Sequence, residues 1–241
     1  MELFKKLVLP KVRILTLTPN DVIWPMGRQD NVPEYQCTSP EDKYPRTFKV
    51  DPFPCYTHDE ERVKVMADLC QNAFPVPNLN IYILSHEMID RINGLSYEQP
   101  SYSEEEKIPC KCGCGELKTR YGQILNIVLS GKRIPVLPSM TRYLVTHEYG
   151  HVAFYYIVRK MGYQDGDIEK IEKEYLELRG IEYKKNISLN KWHNTASEII
   201  ANDFRILFTK QEMEFYPHDV ELPSWGGKEG IWWKKALEIC K

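Results

Sequence analysis

Thr146-His147-Glu148-Tyr149-Gly150-His151-Val152 lies inside a longer run, about Met140 to Met161, whose reading decides the rest of the chain. Pro138 and Ser139 suit the first positions of a helix, and Gly162 suits its end. The flanking Leu144, Val145, Val152, Phe154 and Tyr155 are apolar. A helix with so few polar flanks is expected at the centre of a domain rather than on its surface. Gly150 sharpens that expectation. Glycine in a helix interior costs about 1 kcal/mol relative to alanine, and it is tolerated where something must approach closely.

His147 and His151 are four residues apart, so on a helix they lie one turn apart on one face. H-E-x-x-H on a helix is the spacing with which two imidazoles grip one zinc ion, and Glu148 then stands beside the open coordination position. Zinc lowers the pKa of a bound water to about 7 in favourable sites, and Glu148 is the expected general base that takes its proton and passes it to a leaving group. Six histidines and 23 glutamates in 241 residues produce this pattern by chance in roughly one such chain in a hundred. The competing reading is two imidazoles and a carboxylate on a solvated face. A second pair, His86-Glu87, has Asp90 where another histidine would be needed, and it reads as structural, on a short surface helix from His86 to Ile92.

Catalytic zinc usually takes three protein ligands and a water. Phe154 and Ile157 occupy the positions where a histidine-extended motif would carry glycine and histidine, so that class is excluded. His193, Glu198, Asp203 and His218 remain as downstream candidates. Glu198 is favoured. It opens a helix predicted over about Ala196 to Lys210, where Asn202 shares its face and could accept a hydrogen bond from a ligand imidazole. Thr195-Ala-Ser-Glu198 is also a capping box, in which Glu198 would reach back to the backbone of Thr195. His193 is the next choice as ligand, or a group near a substrate carbonyl that stabilises an oxyanion. Tyr155, Tyr175 and Tyr183 compete for that role.

Outward from this core, a helix is expected at about Asp59 to Ala73, capped by Asp59 or Thr57. Asn78 to Leu84 reads as an alternating strand, and Gln123 to Ser130 as another. Ser96 to Gly115 reads as a loop insertion. Asp167 to Arg179 is a charged helix with Ile168, Ile171, Tyr175 and Leu178 on its apolar face. A last short helix carries Trp232, Trp233 and Leu237. Eight prolines between Pro10 and Pro54 exclude long helices there. Residues 1–58 are therefore expected to make one strand, near Lys11 to Leu17, and then an irregular arm over a domain formed by 59–241. Strands early and helices late indicate an α+β fold in one unit.

The net charge of -2 and the ordinary share of charged residues, 27%, demand neither nucleic acid nor an anionic membrane as partner. No apolar run reaches bilayer length. Lys5, Lys6 and Pro10 interrupt the first apolar stretch, which makes it a poor secretory signal and a cytoplasmic location the expectation. Seven cysteines is an odd number, which argues against a complete disulfide framework. Cys110, Cys112 and Cys114 pack three thiols into five residues. They read either as free thiols on a loop or as a second, structural zinc site completed by Cys37, Cys55 or His58.

With those residues quoted, the chain resembles the gluzincins, the zinc peptidases that pair H-E-x-x-H with a downstream glutamate. Among them it looks most like anthrax lethal factor-like catalytic domains, which carry a His-Glu-Phe-Gly-His-type motif and a later Glu-x-x-Ala-x-x-Phe-Arg helix. His147-Glu-Tyr-Gly-His151 and Glu198-Ile-Ile-Ala-Asn-Asp-Phe-Arg205 follow that pattern over about Tyr121 to Phe208. Zincin-like proteins of phages and low-GC bacteria also look similar. The resemblance implies a zincin-like domain with its active-site helix under a small mixed sheet. It implies zinc on His147, His151 and Glu198, with Glu148 as base and a protein or peptide as substrate. It also implies that the strand Gln123–Ser130 borders the cleft and pairs with an extended peptide. The family places a catalytic tyrosine seven residues before its ligand glutamate, and this chain has Lys191 there. The expected function is peptide-bond hydrolysis. The alternatives are a zincin-like binding or regulatory module that cleaves little, and a component of a phage particle or lysis system.

Overall fold

Leu79–Leu84, the strand β5, is buried at all six positions, which is what a strand covered on both faces requires. Every second residue, Leu79, Ile81 and Ile83, belongs to one hydrophobic core, while Tyr82 and Leu84 belong to another. The alternation expected from sequence is therefore between two interiors rather than between interior and water. A computed structural model describes residues 12–24, 32–37, 46–89, 93–109, 117–161, 168–183, 195–210 and 221–240, side chains of 98–109 and 117–123 excepted.

The chain order is β1 (Val12–Leu17), a 3-10 turn (Pro19–Asp21), β2 (Val22–Ile23), β3 (Glu34–Cys37), β4 (Arg46–Pro54), α1 (Glu60–Ala73), β5, β6 (His86–Met88), β7 (Gly94–Pro109) and β8 (Leu117–Leu129). It continues with α2 (Pro138–Lys160), α3 (Ile168–Leu178), α4 (Ala196–Thr209) and α5 (Lys228–Cys240). The main sheet has the order β1-β5-β8-β7. β1 and β8 run parallel to β5, whereas β7 runs antiparallel to β8. The second sheet, β2-β3-β4-β6, is antiparallel. The fold is mixed α+β.

The helices cover one face of the main sheet. Val63, Ala67 and Cys70 of α1, Val145, Tyr149 and Val152 of α2, Ile200 and Phe204 of α4, and Trp233 of α5 share its core with Ile127 and Leu129. The second sheet covers the other face through Tyr35, Phe48, Val50 and Met88, which meet Tyr82, Tyr97 and Val128. Side chains such as Phe204 and Trp233, both fully buried, each contribute about 1.5–3 kcal/mol by leaving water. Asn80 and Asn126 are register partners in mid-sheet, and their amides satisfy each other at 3.1 Å. Among the described residues no helix is long and apolar enough to cross a membrane.

The helix boundaries follow local chemistry. Asp59 caps α1 by accepting from the Arg62 N–H at 2.8 Å. Pro138 takes the first turn of α2, where its missing N–H costs nothing. Lys210, in the left-handed region at φ 51°, ends α4.

Three sequence expectations fail here. The helix expected from His86 does not begin there. His86–Met88 is a strand that pairs with β4, and His86 is only 3% exposed, its Nδ1 lying 2.7 Å from the Tyr35 hydroxyl. Pairing with a strand more than thirty residues upstream overrides the local Ser85 capping signal. Residues 96–109 are not a loop but most of β7, a long ribbon with β8. The acidic run that suggested a loop adjoins the irregular register between Ser101 and Glu106. The proline-rich stretch, finally, is more regular than an arm with one strand, since it supplies β1 to β4. Pro52 falls where pairing lapses, between Val50 and Pro54, where the β4–β6 register shifts.

Candidate metal centre

Helix α2 runs beneath the main sheet and is buried almost all round between Leu144 and Val158. Its polar exceptions converge. His147, Glu148 and His151 are 4%, 6% and 7% exposed, and burying three such groups together demands partners. The two imidazole rings lie edge to face, with centroids 4.9 Å apart. Opposite them, α4 brings the carboxylate of Glu198. Its Oε2 is 3.0 Å from Nε2 of His147, and its Oε1 is 3.4 Å from Nε2 of His151. Among the described residues, these three are the one group of histidine, cysteine and carboxylate side chains near enough to share an ion, with donor atoms all within 4.8 Å.

The approach of the two helices depends on Gly150. A Cβ at that position would lie 2.6 Å from the carbonyl oxygen of Ala201 and 2.8 Å from its Cα. Only a residue without a side chain lets the backbones meet there. Glu198, one turn before Ala201, is thereby brought over the two imidazoles. The capping box does not form, because Thr195 makes no side-chain cap hydrogen bond and Glu198 faces the histidines instead.

Nδ1 of His147 lies 3.2 Å from Oδ1 of Asn202. An amide oxygen only accepts, so Nδ1 carries the proton, and in the neutral ring Nε2 is a lone pair. That lone pair then faces the Oε2 lone pair of Glu198, which is buried without a hydrogen-bond partner. Two acceptors 3.0 Å apart are held together by a positive charge between them, either a proton or a cation. Burial pushes the Glu198 carboxyl up, yet a proton shared with the imidazoles of His147 and His151 outweighs it, through hydrogen bonding and charge, and holds the group down at about 2. Two imidazole nitrogens and an ionised carboxylate are the donor set that suits zinc. These residues fit the metal that the motif implies.

Burial pushes the Glu148 carboxyl up to about 7. His147 opposes this, the Glu198 charge adds to it, and a hydrogen bond from Ser96 of β7 opposes it. Tyr143 of α2 stacks on His147, with centroids 5.6 Å apart and planes 11° apart. The Arg205 guanidinium of α4 covers the ring of Tyr143 at 4.4 Å. Burial raises the carboxyl of Glu172 of α3, and His151 lowers it.

The other described candidates have partners of their own. Asp203, fully buried, accepts from the Tyr175 hydroxyl at 2.7 Å and pairs with Nε of Arg179 at 2.9 Å. Both Asp203 and Tyr175 are thus committed to a network away from the imidazoles. Tyr183 packs on Leu176, Ala196 and Ile199, and Tyr155 against the main core. His193, Lys191 and His218 lie outside the described residues, as do Cys110, Cys112 and Cys114. Of the residues considered as partners for those thiols, Cys37 is buried in the second core, and His58 is buried against the Thr141 hydroxyl at 2.9 Å.

Sequence reasoning missed Tyr143, Ser96, Gly94 and Glu172. Tyr143 is four residues before His147, so helical arithmetic alone places it on the motif face. Ser96 carried no signal once β7 was read as a loop, Gly94 read as the stop of the helix expected over His86 to Ile92, and nothing marked Glu172 among the charges of α3. No family model, curated protein or solved structure matches the chain.

Proposed function

We propose that this protein is a zinc-dependent hydrolase of the zincin-like kind and that it cleaves peptide bonds. The observation that carries the reading is the convergence of His147, His151 and Glu198, from two helices, beside a buried Glu148. His147, His151 and Glu198 would hold the metal. When bound, zinc supplies a Lewis acid that polarises a carbonyl and makes a water acidic enough to attack near neutral pH.

The chain's own residues supply the rest. Asn202 fixes the His147 tautomer so that Nε2 points at Glu198. Glu148 takes the proton of the attacking water and delivers it to the leaving amine. Tyr143 braces the His147 ring by stacking on it, and Arg205 backs Tyr143. The Glu198 side chain, 17% exposed against 5% for His147, is the group of the three most open to solvent.

A peptide substrate is supported by the sheet. β8 lies between β5 and β7, so the strand Gln123–Ser130 does not offer a free edge, contrary to what the resemblance implied. β7 is the edge strand, and among the described residues no strand pairs with its outer side. It starts at Gly94, directly against Glu148. An unpaired edge offers a ladder of N–H and C=O groups to an extended peptide.

Glu148→Gln tests this reading. The zinc-loaded variant is expected to keep its metal and to lose about 10²–10⁴-fold in turnover of a quenched fluorescent peptide library. Turnover equal to wild type would contradict it.

A further inference from the structure

We propose that Gly94 and Ser96, at the start of β7, are positioning residues for Glu148: Ser96 donates a hydrogen bond to its carboxylate, and Gly94 leaves the space that carboxylate occupies. The inference rests on the reading of Glu148 as general base.

Cross-strand partners share a face of a sheet. Gly94 is paired with Leu129 and Ser96 with Ile127, and both of those point into the helix-side core. Gly94 and Ser96 therefore face α2, while Leu95 and Tyr97 between and beyond them face the second sheet. On that helix side the neighbouring strands present leucine and isoleucine: Leu79, Ile81 and Ile83 from β5, Leu125, Ile127 and Leu129 from β8. At the start of β7 the surface turns into an empty position followed by a hydroxyl, and both meet Glu148.

The fit is close. A Cβ on Gly94 would lie 2.8 Å from Oε1 of Glu148, 3.0 Å from its Cγ and 3.2 Å from its Cδ. The carboxylate thus rests against the bare backbone of β7. A side chain at Gly94 would have to displace that carboxylate, and glycine leaves its place free. Ser96 is 9% exposed. A buried hydroxyl needs a partner, and Ser96 has one in Glu148. A carboxylate with one oxygen fixed by a donor and its shaft fixed by a backbone has few rotamers left, which is what a base must have to meet its proton at hydrogen-bond range.

The test uses the full-length protein, wild type beside Ser96→Ala, Ser96→Thr, Gly94→Ala and Glu148→Gln, loaded with zinc or with cobalt(II). Zinc affinity, measured against a chelator, is expected to stay within about twofold in all four variants, because none removes a ligand. The visible bands of the cobalt form report the groups next to the ion. Glu148→Gln defines how they look without the carboxylate, and Ser96→Ala and Gly94→Ala are expected to move toward that spectrum. Ser96→Thr keeps the donor and is expected to recover most of the wild-type spectrum. On one peptide that wild type cleaves, kcat should fall about tenfold in Ser96→Ala with KM within about twofold.

Ser96→Ala and Gly94→Ala matching wild type in spectrum and kcat, with Glu148→Gln displaced, would overturn this inference and leave the metal site standing. Wild type and Glu148→Gln coinciding throughout, or wild type binding no zinc, would instead overturn the reading on which it rests.

Discussion

Gly150 and Ala201 touch backbone to backbone: a Cβ on Gly150 would stand 2.6 Å from the Ala201 carbonyl oxygen. This contact joins the helix that carries both imidazoles to the helix that carries Glu198. Its consequence is testable. Gly150→Ala should gain about 1 kcal/mol of helix propensity and lose more, because the atoms in the way are backbone and cannot swing aside. A net loss of about 1–3 kcal/mol is expected from overpacking, with weaker zinc binding as Glu198 is pushed off the histidines. Thermal melts with and without zinc check both parts. A variant more stable than wild type would show that the helices do not need this contact.

Asn202 is expected to act through His147. With its Oδ1 at 3.2 Å from Nδ1, it selects the tautomer that leaves Nε2 free. Asn202→Ala should weaken zinc binding by about 10–100-fold, the range for partners that orient a metal-binding histidine. Chelator competition measures it, and unchanged affinity would mean that packing alone orients the ring.

His58 gives a pH effect separate from the metal site. Burial, with the nearby positive charge of Lys132 adding to it, lowers its pKa to about 4. The unfolded chain, at the ordinary histidine value of 6.5, binds a proton the folded protein refuses. Stability from neutral His58 is therefore complete above pH 6.5 and is lost as pH falls toward 4. The loss is on the order of 2–3 kcal/mol. Glu148, raised to about 7, acts in the opposite direction over much of this window, since its folded form keeps a proton the unfolded chain has released. The comparison is thus between wild type and His58→Gln, unfolded by urea in chelator at pH 7.5 and pH 4.5. His58→Gln should lack the acid-dependent loss. Parallel pH dependence in the two proteins would remove His58 as its source.

How far the sequence alone reached depends on whether a feature is local. The spacing of His147 and His151, the helix around them and the cap at Asp59 follow from rules that act within a few residues, and the described elements have them nearly where expected. Whether Glu198 caps its own helix or lies against the imidazoles could not be read from that helix alone. It turned on α4 reaching α2, through a glycine whose packing partner lies 51 positions away in sequence. β6 was misread because its pairing partner, β4, is distant in sequence, whereas β7 pairs with the next strand, β8, and was misread because its own residues are polar. Misreading β7 also hid Gly94 and Ser96, since the period of two that puts both on the helix face exists only in a strand.

Zinc binding by wild type and by Glu198→Ala, measured on purified protein by metal analysis and chelator competition, tests the central claim most directly. One zinc per chain is expected in wild type. Glu198→Ala should weaken binding by more than the roughly 10–100-fold expected for Asn202, because it removes a donor rather than a support. Equal zinc affinity in the two proteins, or no zinc in wild type, would contradict the account.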